Sequence, residues 1–114
     1  MRAYQWAVMQ ATLDPGAGSE QQGIRPVLIV SNEEFNQALS NVTVLPLTST
    51  RRNLYPAEVF LPSGIAGQPS DSIIMAHQIR TISKKRLTDL FGYLEDVELQ
   101  RAVREAIKEH LDLD

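Results

Sequence analysis

The sequence contains no cysteine and no apolar run near the roughly 20 residues that a helix needs to cross a bilayer. Without cysteine there is no disulfide framework, no thiolate nucleophile and no cysteine-based metal site. The first residues also lack the apolar stretch and the small-residue cleavage site of a secretory signal. We therefore expect a protein of the cytoplasm that has no membrane partner.

Several common catalytic patterns are also absent. The chain has two histidines, and its carboxylates show no metal-ligand spacing such as His-Glu-x-x-His. It contains no phosphate-binding P-loop, no dinucleotide fingerprint and no nucleophile elbow. Zinc hydrolysis, nucleotide-cofactor chemistry and serine acyl transfer are therefore disfavoured, and we expect neither a metal nor a cofactor.

The length and the charge pattern set the next limits. A chain of 114 residues with 43% hydrophobic residues predicts one domain, 1–114, with one modest core. The net charge is -3, which by itself argues against a nucleic-acid partner. However, residues 25–86 carry seven basic and four acidic side chains, and residues 87–114 carry three basic and eight acidic ones. A basic middle can attract RNA locally, although an ordinary solvated acidic helix explains the C-terminal charge equally well.

Hydrophobic periodicity predicts several short strands and one long helix. Strands are expected at 5–12, 25–31, 41–48, 58–61 and 71–82, the last of which can contain a bend. The pattern also predicts a long loop at 13–24, a short helix at about 32–39, one turn at 83–86 and an amphipathic helix at 95–110. Ser31 and Glu34 have the spacing of a capping box. Pro46 suggests that its strand is an edge strand or contains a bulge, and 87–94 is ambiguous. The fold class expected is mainly β (α+β), a small barrel of antiparallel strands with a short inserted helix and a C-terminal helix. Composition alone does not separate it from other small α+β folds.

Arg25 is the first candidate for chemistry. It lies where a glycine-rich polar loop meets an apolar strand, so the strand fixes the direction of its guanidinium. Such a group can hold a phosphate with two parallel hydrogen bonds. A salt bridge at the end of a strand is the alternative, and the spacing alone weights the two about evenly.

A second candidate segment follows the strand at 41–48. The hydroxyls of Thr48, Ser49 and Thr50 can donate to phosphate oxygens, and Arg51 and Arg52 can follow an RNA backbone. The alternative is a turn in which Thr48 or Ser49 bonds to its own main chain. The residues alone favour this turn.

The strand expected at 71–82 carries a third set. Period-two alternation would place His77 on one face with Met75 and Ile79, and Gln78 on the other face with Arg80. A histidine titrates near neutral pH and can transfer a proton. A single histidine in an apolar strand is, however, more often a core or rim residue.

The chain resembles the MazF/PemK toxin family along most of its length. The resemblance rests on Asp-Pro at 14–15, on segment 18–32 with its Gly-Ser-Glu-Gln and Arg-Pro, and on Pro-Leu-Thr-Ser-Thr at 46–50. It continues through Tyr-Pro-Ala-Glu-Val at 55–59, His-Gln-Ile-Arg-Thr-Ile at 77–82 and Lys-Arg-Leu at 85–87. The first and last of these blocks are fairly specific when they occur together.

The resemblance implies an SH3-like small barrel, a homodimer and a toxin that a cognate antitoxin neutralises. It implies metal-independent cleavage of single-stranded mRNA at a short preferred sequence, by attack of the ribose 2′-hydroxyl on the adjacent phosphorus. Arg25 and Thr48 would be the catalytic pair. His77 is a further catalytic candidate, which either replaces an acidic residue of the family in proton transfer or leaves that role absent. The RNA-binding residues would be Ser19, Glu20, Gln21, Ser49, Thr50, Arg51, Arg52 and Gln78.

The sequence departs from the family pattern at two places, and two rival functions are also compatible with it. The family often has an acidic residue where this chain has His77, and it often begins its first strand with Gly-Asp, where this chain has Gln5 and Trp6 in that region. The rivals are a non-catalytic small-barrel binding module and a toxin that poisons gyrase. The presence of both Arg25 and Thr48 favours the ribonuclease.

Overall fold

A computed structural model of the chain describes residues 3–13, 18 and 23–114. In chain order its elements are β1 (Ala7–Leu13), β2 (Gly23–Ile29), α1 (Glu33–Ala38), β3 (Asn41–Thr48), β4 (Glu58–Leu61), β5 (Ser72–Met75), β6 (Arg80–Ser83), β7 (Leu87–Tyr93) and α2 (Val97–Leu111). Short 3-10 turns occupy Ile65–Gly67, Ala76–Gln78 and Lys84–Arg86. Within the described residues, no helix is long and apolar enough to cross a membrane.

The strands form one antiparallel sheet in the order β4-β5-β3-β2-β1-β7, with β6 alongside β3. Strand β3 is shared, because its first residues pair with β6 and its last two pair with β5. This exchange of partners turns the sheet from one part of the small barrel into the other. The prediction of a mainly antiparallel fold with a short inserted helix and a C-terminal helix is confirmed.

Both faces of the central strands are buried, which explains the unbroken apolar run in β2. Val27 and Ile29 belong to one hydrophobic cluster, and Leu28 between them belongs to the other. A strand buried on both faces reads as continuous rather than alternating hydrophobicity. Helix α2 adds Val103 and Ala106 to the cluster that contains Leu28, so the helical periodicity expected from the sequence is confirmed.

Pro46 lies on a central strand, so its assignment to an edge or a bulge was wrong. It stands opposite Val27 of β2. The carbonyl of Thr43 accepts from the N–H of Val30, so in β3 the odd-numbered residues direct their backbone groups at β2 and Pro46 directs its nitrogen the other way. On that side the β6 pairing ends at Val44 and the β5 pairing begins at Leu47. Proline is tolerated because no ladder hydrogen bond is required of it there.

The strand predicted at 71–82 is interrupted. It consists of β5 and β6 separated by the 3-10 turn Ala76–Gln78, so the expected alternation of faces for His77 and Gln78 was wrong. The ambiguous segment 87–94 contains β7, which pairs with β1. The turn predicted at 83–86 is confirmed, and the hydroxyl of Ser83 accepts from the N–H of Lys85.

Three boundaries also differ from the predictions. Strand β1 begins two residues later than expected, because residues Tyr4 and Trp6 form a turn in which the N–H of Ala7 donates to the carbonyl of Tyr4. The expected loop at 13–24 is shorter, since Leu13 pairs with Gly23. Helix α1 is capped by Asn32, whose Oδ1 accepts from the N–H of Phe35, so the capping box from Ser31 was wrong.

Candidate active site

Arg25 and Thr48 lie on the same face of two neighbouring antiparallel strands. The β2–β3 pairing ends at Val27 opposite Pro46, and Arg25 and Thr48 are each two residues beyond that pair. Side chains two residues apart on a strand share a face. Both therefore leave the paired region in the same direction, and both are half-buried. The antiparallel register thus brings together two residues that are 23 positions apart in the sequence.

These two residues line a cavity of about 380 Å³, which we call the first groove. Its other described lining residues are Ile24, Pro26, Leu47, Ser49, Gly67, Gln68, Pro69, Ser70, Ser72 and Phe91. A cation, a hydroxyl and an apolar floor in one groove suit a phosphodiester with its attached ribose, because the guanidinium binds the anion and the apolar floor excludes water.

The hydroxyl of Thr48 is oriented by Thr50. Thr48 Oγ1 donates to Thr50 Oγ1 at 3.0 Å, and the N–H of Thr50 donates to Thr48 Oγ1 at 3.3 Å. The bond from the Thr50 main chain is the turn that the sequence offered as the alternative for this segment. The two hydroxyls therefore form one small network, in which the Thr50 O–H remains a donor for a ligand.

One wall of the first groove depends on a close contact between two backbone segments. Gly67, in the 3-10 turn, has φ +73, and a Cβ added to it would lie 2.1 Å from the carbonyl oxygen of Phe91 in β7. Gly67 and Phe91 both line the groove. Only glycine fits there, so Gly67 sets how closely the turn approaches β7 and thereby the position of this wall.

A second cavity of about 280 Å³ lies beside the first, and we call it the second groove. Ser49 and Ser72 line both, so the two grooves are adjacent. The residues that line only the second groove are Thr50, Arg51, Arg52, Phe60, Asp71 and Ile73. The hydroxyls and the two arginines predicted after β3 thus lie at or beside Thr48.

A buried carboxylate anchors the loop that carries these arginines. The side chain of Glu58 is fully buried and accepts from Arg52 Nη1 and Nη2 at 2.7 and 2.8 Å. It also accepts from the N–H of Tyr55 at 2.7 Å, and Nε2 of His77 lies 2.7 Å from its Oε2. An ionised carboxylate only accepts, so Nε2 of His77 is the donor in this contact. The Arg52 guanidinium further stacks on the Tyr55 ring, 4.0 Å from its centre.

These contacts determine the ionisation of Glu58. Burial would raise the pKa of its carboxyl group, but the hydrogen bonds from Arg52, the Tyr55 backbone and His77 outweigh burial and lower the pKa to about 2. The same pairing raises the pKa of the Arg52 guanidinium. Glu58 is therefore an anion at neutral pH. Its carboxylate accepts hydrogen bonds from two side chains and one backbone N–H.

The remaining predicted site residues are distributed unevenly. His77 and Gln78 lie in the 3-10 turn after β5 and are not among the described residues that line the two grooves. The residues Ser19, Glu20 and Gln21 lie outside the described part of the chain. Over residues 3–13, 18 and 23–114, no three histidine, aspartate or glutamate side chains are grouped as a metal site.

Glu58 and Phe60 were not singled out by the sequence reasoning. The sequence did contain a signal for the anchoring role of Glu58. This glutamate begins the apolar strand Glu-Val-Phe-Leu and follows an Arg-Arg pair by six residues. Glu58 of β4 places its carboxylate 2.7 Å from Nε2 of His77. No local pattern marks Phe60, because its importance depends on which strands are neighbours.

Comparison with known proteins agrees with this geometry. Residues 4–111 match the sequence profile described as PemK-like, MazF-like toxin of type II toxin-antitoxin system. The chain belongs to this toxin family. It is 37% identical over 111 residues to Endoribonuclease MazF9 of Mycobacterium tuberculosis, an alignment that covers 93% of each protein.

Two further relatives extend the comparison. Endoribonuclease EndoA of Bacillus subtilis is 38% identical over 104 residues, which covers 90% of this chain and 89% of EndoA. A solved mycobacterial structure, described as an endoribonuclease in complex with its cognate antitoxin, superposes with a TM-score of 0.78 at 26% identity and covers 96% of this chain and 95% of that one. The predicted MazF/PemK resemblance is confirmed.

Proposed function

We propose that this chain is the toxin of a toxin–antitoxin pair and acts as an endoribonuclease on single-stranded mRNA in the cytoplasm. The observation that carries the proposal is the placement of Arg25 and Thr48 on one face of β2 and β3, in one groove. All three relatives described above are named endoribonucleases. The whole chain, 1–114, would act as one unit that cuts at a short preferred sequence.

The residues present fit a reaction in which the substrate supplies the nucleophile. The ribose 2′-oxygen loses its proton and forms a bond to the adjacent phosphorus, and the bond from phosphorus to the 5′-oxygen breaks. The 5′-oxygen takes up a proton, so the products are a 2′,3′-cyclic phosphate and a 5′-hydroxyl. No protein nucleophile is required, which matches a chain without cysteine.

Arg25 and Thr48 would have separate parts in this reaction. The guanidinium of Arg25 stabilises the extra negative charge on the phosphorane, and Thr48 with Thr50 donates a hydrogen bond to a phosphate oxygen and aligns it. An arginine is too basic to be an easy general base, so its electrostatic part is the better supported one. A proton-transfer part for His77 stays a prediction. The RNA contacts also stay predictions, for Ser19, Glu20, Gln21, Ser49, Thr50, Arg51, Arg52 and Gln78.

The proposed partners are a second copy of the chain and a cognate antitoxin. One structural relative is described as a complex with its cognate antitoxin. Residues 25–86 carry three more basic than acidic side chains, so an acidic antitoxin segment that orders on binding would occupy the RNA groove and mimic phosphates. Its binding should weaken with salt and compete with RNA.

The rival functions are less well supported. A binding module without chemistry could hold a phosphate with the same arginine and threonine, but the relatives described above are named endoribonucleases and none is named as a gyrase poison. The endoribonuclease is therefore the function that the geometry and the comparisons support best.

Incubation of the purified protein with a long single-stranded RNA in excess chelator tests the proposal, with the cut sites and the chemistry of both ends mapped. We expect cuts at one short sequence that leave a cyclic phosphate and a 5′-hydroxyl. Arg25→Ala should reduce the rate by about 100-fold or more. Arg25→Lys should restore it only in part, because a point charge makes no bidentate contact. A wild-type protein that cuts no RNA would overturn the proposal.

A further inference from the structure

Phe60 lies in line with Thr48 across the sheet. Ile73 of β5 is the register partner of Thr48 on one side and of Phe60 on the other. Paired residues of neighbouring strands point to the same face, so the three side chains form a row across β3, β5 and β4. With strands about 4.8 Å apart, Phe60 is about 10 Å from Thr48 along this row.

The middle and the end of this row differ in exposure. Ile73 is buried, whereas Phe60 is 46% exposed and lines the second groove. The neighbours of Phe60 in β4, Val59 and Leu61, face the core. An aromatic ring thus lies open at the edge of the sheet, in a cavity adjacent to the one that holds Arg25 and Thr48.

The charges around the ring differ on its two sides. Arg51 is exposed and lines the second groove. Asp71 also lines it, and its Oδ1 accepts from the N–H of Ser63 at 2.8 Å. A carboxylate repels a phosphate but accepts from the N–H groups of a base, whereas an arginine attracts the phosphate. The groove is therefore suited to a base beside Asp71 and a phosphate beside Arg51.

The size of the second groove limits its occupant. A cavity of about 280 Å³ is at the lower end of the range for small-molecule sites, which suits a single base better than a larger ligand. Because the two grooves share Ser49 and Ser72, a strand whose phosphodiester lies at Arg25 and Thr48 continues directly into the second groove.

We propose that the second groove is a nucleotide subsite in which an unpaired base next to the cleaved phosphodiester stacks on Phe60 and its phosphate contacts Arg51. This inference rests on the proposed function, since it identifies a substrate contact of the same site. Stacking on a protein aromatic contributes strongly and with little base preference. Phe60 would thus help to position the strand for cleavage at Thr48.

The test is a binding and cleavage series with short RNA oligonucleotides that contain the preferred cut site. A single abasic nucleotide is moved along the oligonucleotide, and a 2′-deoxy substitution at the cut site blocks cleavage for the affinity measurements. The proteins are wild type, Phe60→Ala, Phe60→Trp and Phe60→Leu. The control is Phe35→Ala, because Phe35 is 60% exposed in α1 and lines neither groove.

We expect one abasic position next to the cut site to weaken binding by wild type about 10-fold or more. Phe60→Ala and Phe60→Leu should bind the intact RNA correspondingly weakly and show no further loss at that position. Phe60→Trp and Phe35→Ala should behave like wild type. An equal abasic penalty in wild type and Phe60→Ala would overturn the subsite. A change of oligomeric state in Phe60→Ala without a change in the abasic penalty would also overturn it, because Phe60 would then contact a second copy.

These outcomes are separable from those of the proposed function. If wild type cleaves RNA but Phe60 has no effect on the abasic penalty, the subsite fails and the endoribonuclease stands. If wild type binds the RNA with a Phe60-dependent abasic penalty but never cleaves it, the endoribonuclease fails, and the second groove stands only as a base-binding site without cleavage.

Discussion

Arg52 and Glu58 are joined by two parallel hydrogen bonds of 2.7 and 2.8 Å, and the Glu58 side chain is completely buried. The pair connects the loop after β3 to the first residue of β4. Because Thr50 and Arg51 precede Arg52 directly and line the second groove, this ion pair holds the segment on which the proposed RNA contacts lie.

Glu58→Gln should loosen this loop and destabilise the protein. Removal of one partner from a buried ion pair typically costs about 3–5 kcal/mol, and we expect the lower end or less because Arg52 and His77 are partly exposed and can turn to water. Urea unfolding measures the loss. Glu105→Gln is the matched control, since Glu105 is exposed, pairs with Lys108 and should change stability by less than about 1 kcal/mol. Equal effects of the two variants would contradict the anchoring role.

The low pKa of Glu58 predicts a specific acid limb in the stability profile. The folded-state pKa is about 2 and the ordinary value is 4.5, so the stabilisation is fully present above about pH 4.5 and is lost as the pH falls towards 2. The shift corresponds to about 3 kcal/mol. Unfolding free energies measured between pH 6 and pH 2 should show this loss in wild type and a shallower decline in Glu58→Gln. Parallel curves for both proteins would be inconsistent with it.

Much of this fold was predictable because local rules and tertiary structure agree. The amphipathic pattern predicted α2, and the apolar run predicted β2. The sequence allowed a bend within 71–82 but not the position of the break at Ala76–Gln78, since Met75 and Ile79 on either side are residues typical of a strand. The prediction for Pro46 was wrong because proline is excluded from a central strand only where the strand needs a backbone N–H at that position. The tertiary structure shows that β3 needs no N–H at Pro46, since there its pairing changes from β6 to β5.

The candidate site was also predictable only in part. Arg25 and Thr48 were identified by residue type and resemblance, and the register explains how they meet. Arg52 is the residue type expected for an RNA contact, but its guanidinium donates two hydrogen bonds to the Glu58 carboxylate. A sequence shows which side chains are charged, but not whether a charged side chain is already paired within the folded protein.

Gly67→Ala should both destabilise the protein and displace a wall of the first groove. The new methyl would lie 2.1 Å from the Phe91 carbonyl oxygen, so backbone must move, at an expected cost of about 1–3 kcal/mol beyond the cost of the positive φ. Gly64→Ala is the control, because Gly64 also has a positive φ but nothing lies within 4 Å of its added Cβ. Thermal unfolding and the KM for RNA should separate the two variants. Indistinguishable variants would show that the contact with Phe91 is unimportant.

Thr48 and Thr50 should behave as a unit in cleavage. Thr48→Ala should lower kcat roughly 10-fold, since it removes a hydrogen bond to a charged group. In a Thr50→Val background the same change should cost less, because the hydrogen bond from Thr48 to Thr50, through which the two hydroxyls act together, is already lost. Thr43→Ala is the control, because Thr43 also lies on β3 and pairs its hydroxyl with that of another threonine, Thr81 of β6. Additive effects of Thr48→Ala and Thr50→Val would contradict a shared network.

His77→Gln separates proton transfer from a positioning role. If His77 transfers a proton, the pH–rate profile of wild type should contain a limb that is lost in the variant. The contact with Glu58 favours the other outcome, because the glutamine side chain of this variant retains an N–H donor for the carboxylate whose Oε2 lies 2.7 Å from Nε2 of His77. We then expect an unchanged profile for His77→Gln and a rise in KM for His77→Ala, which removes the donor. Loss of the limb in both variants, with KM unchanged, would instead establish His77 as the group that moves the proton.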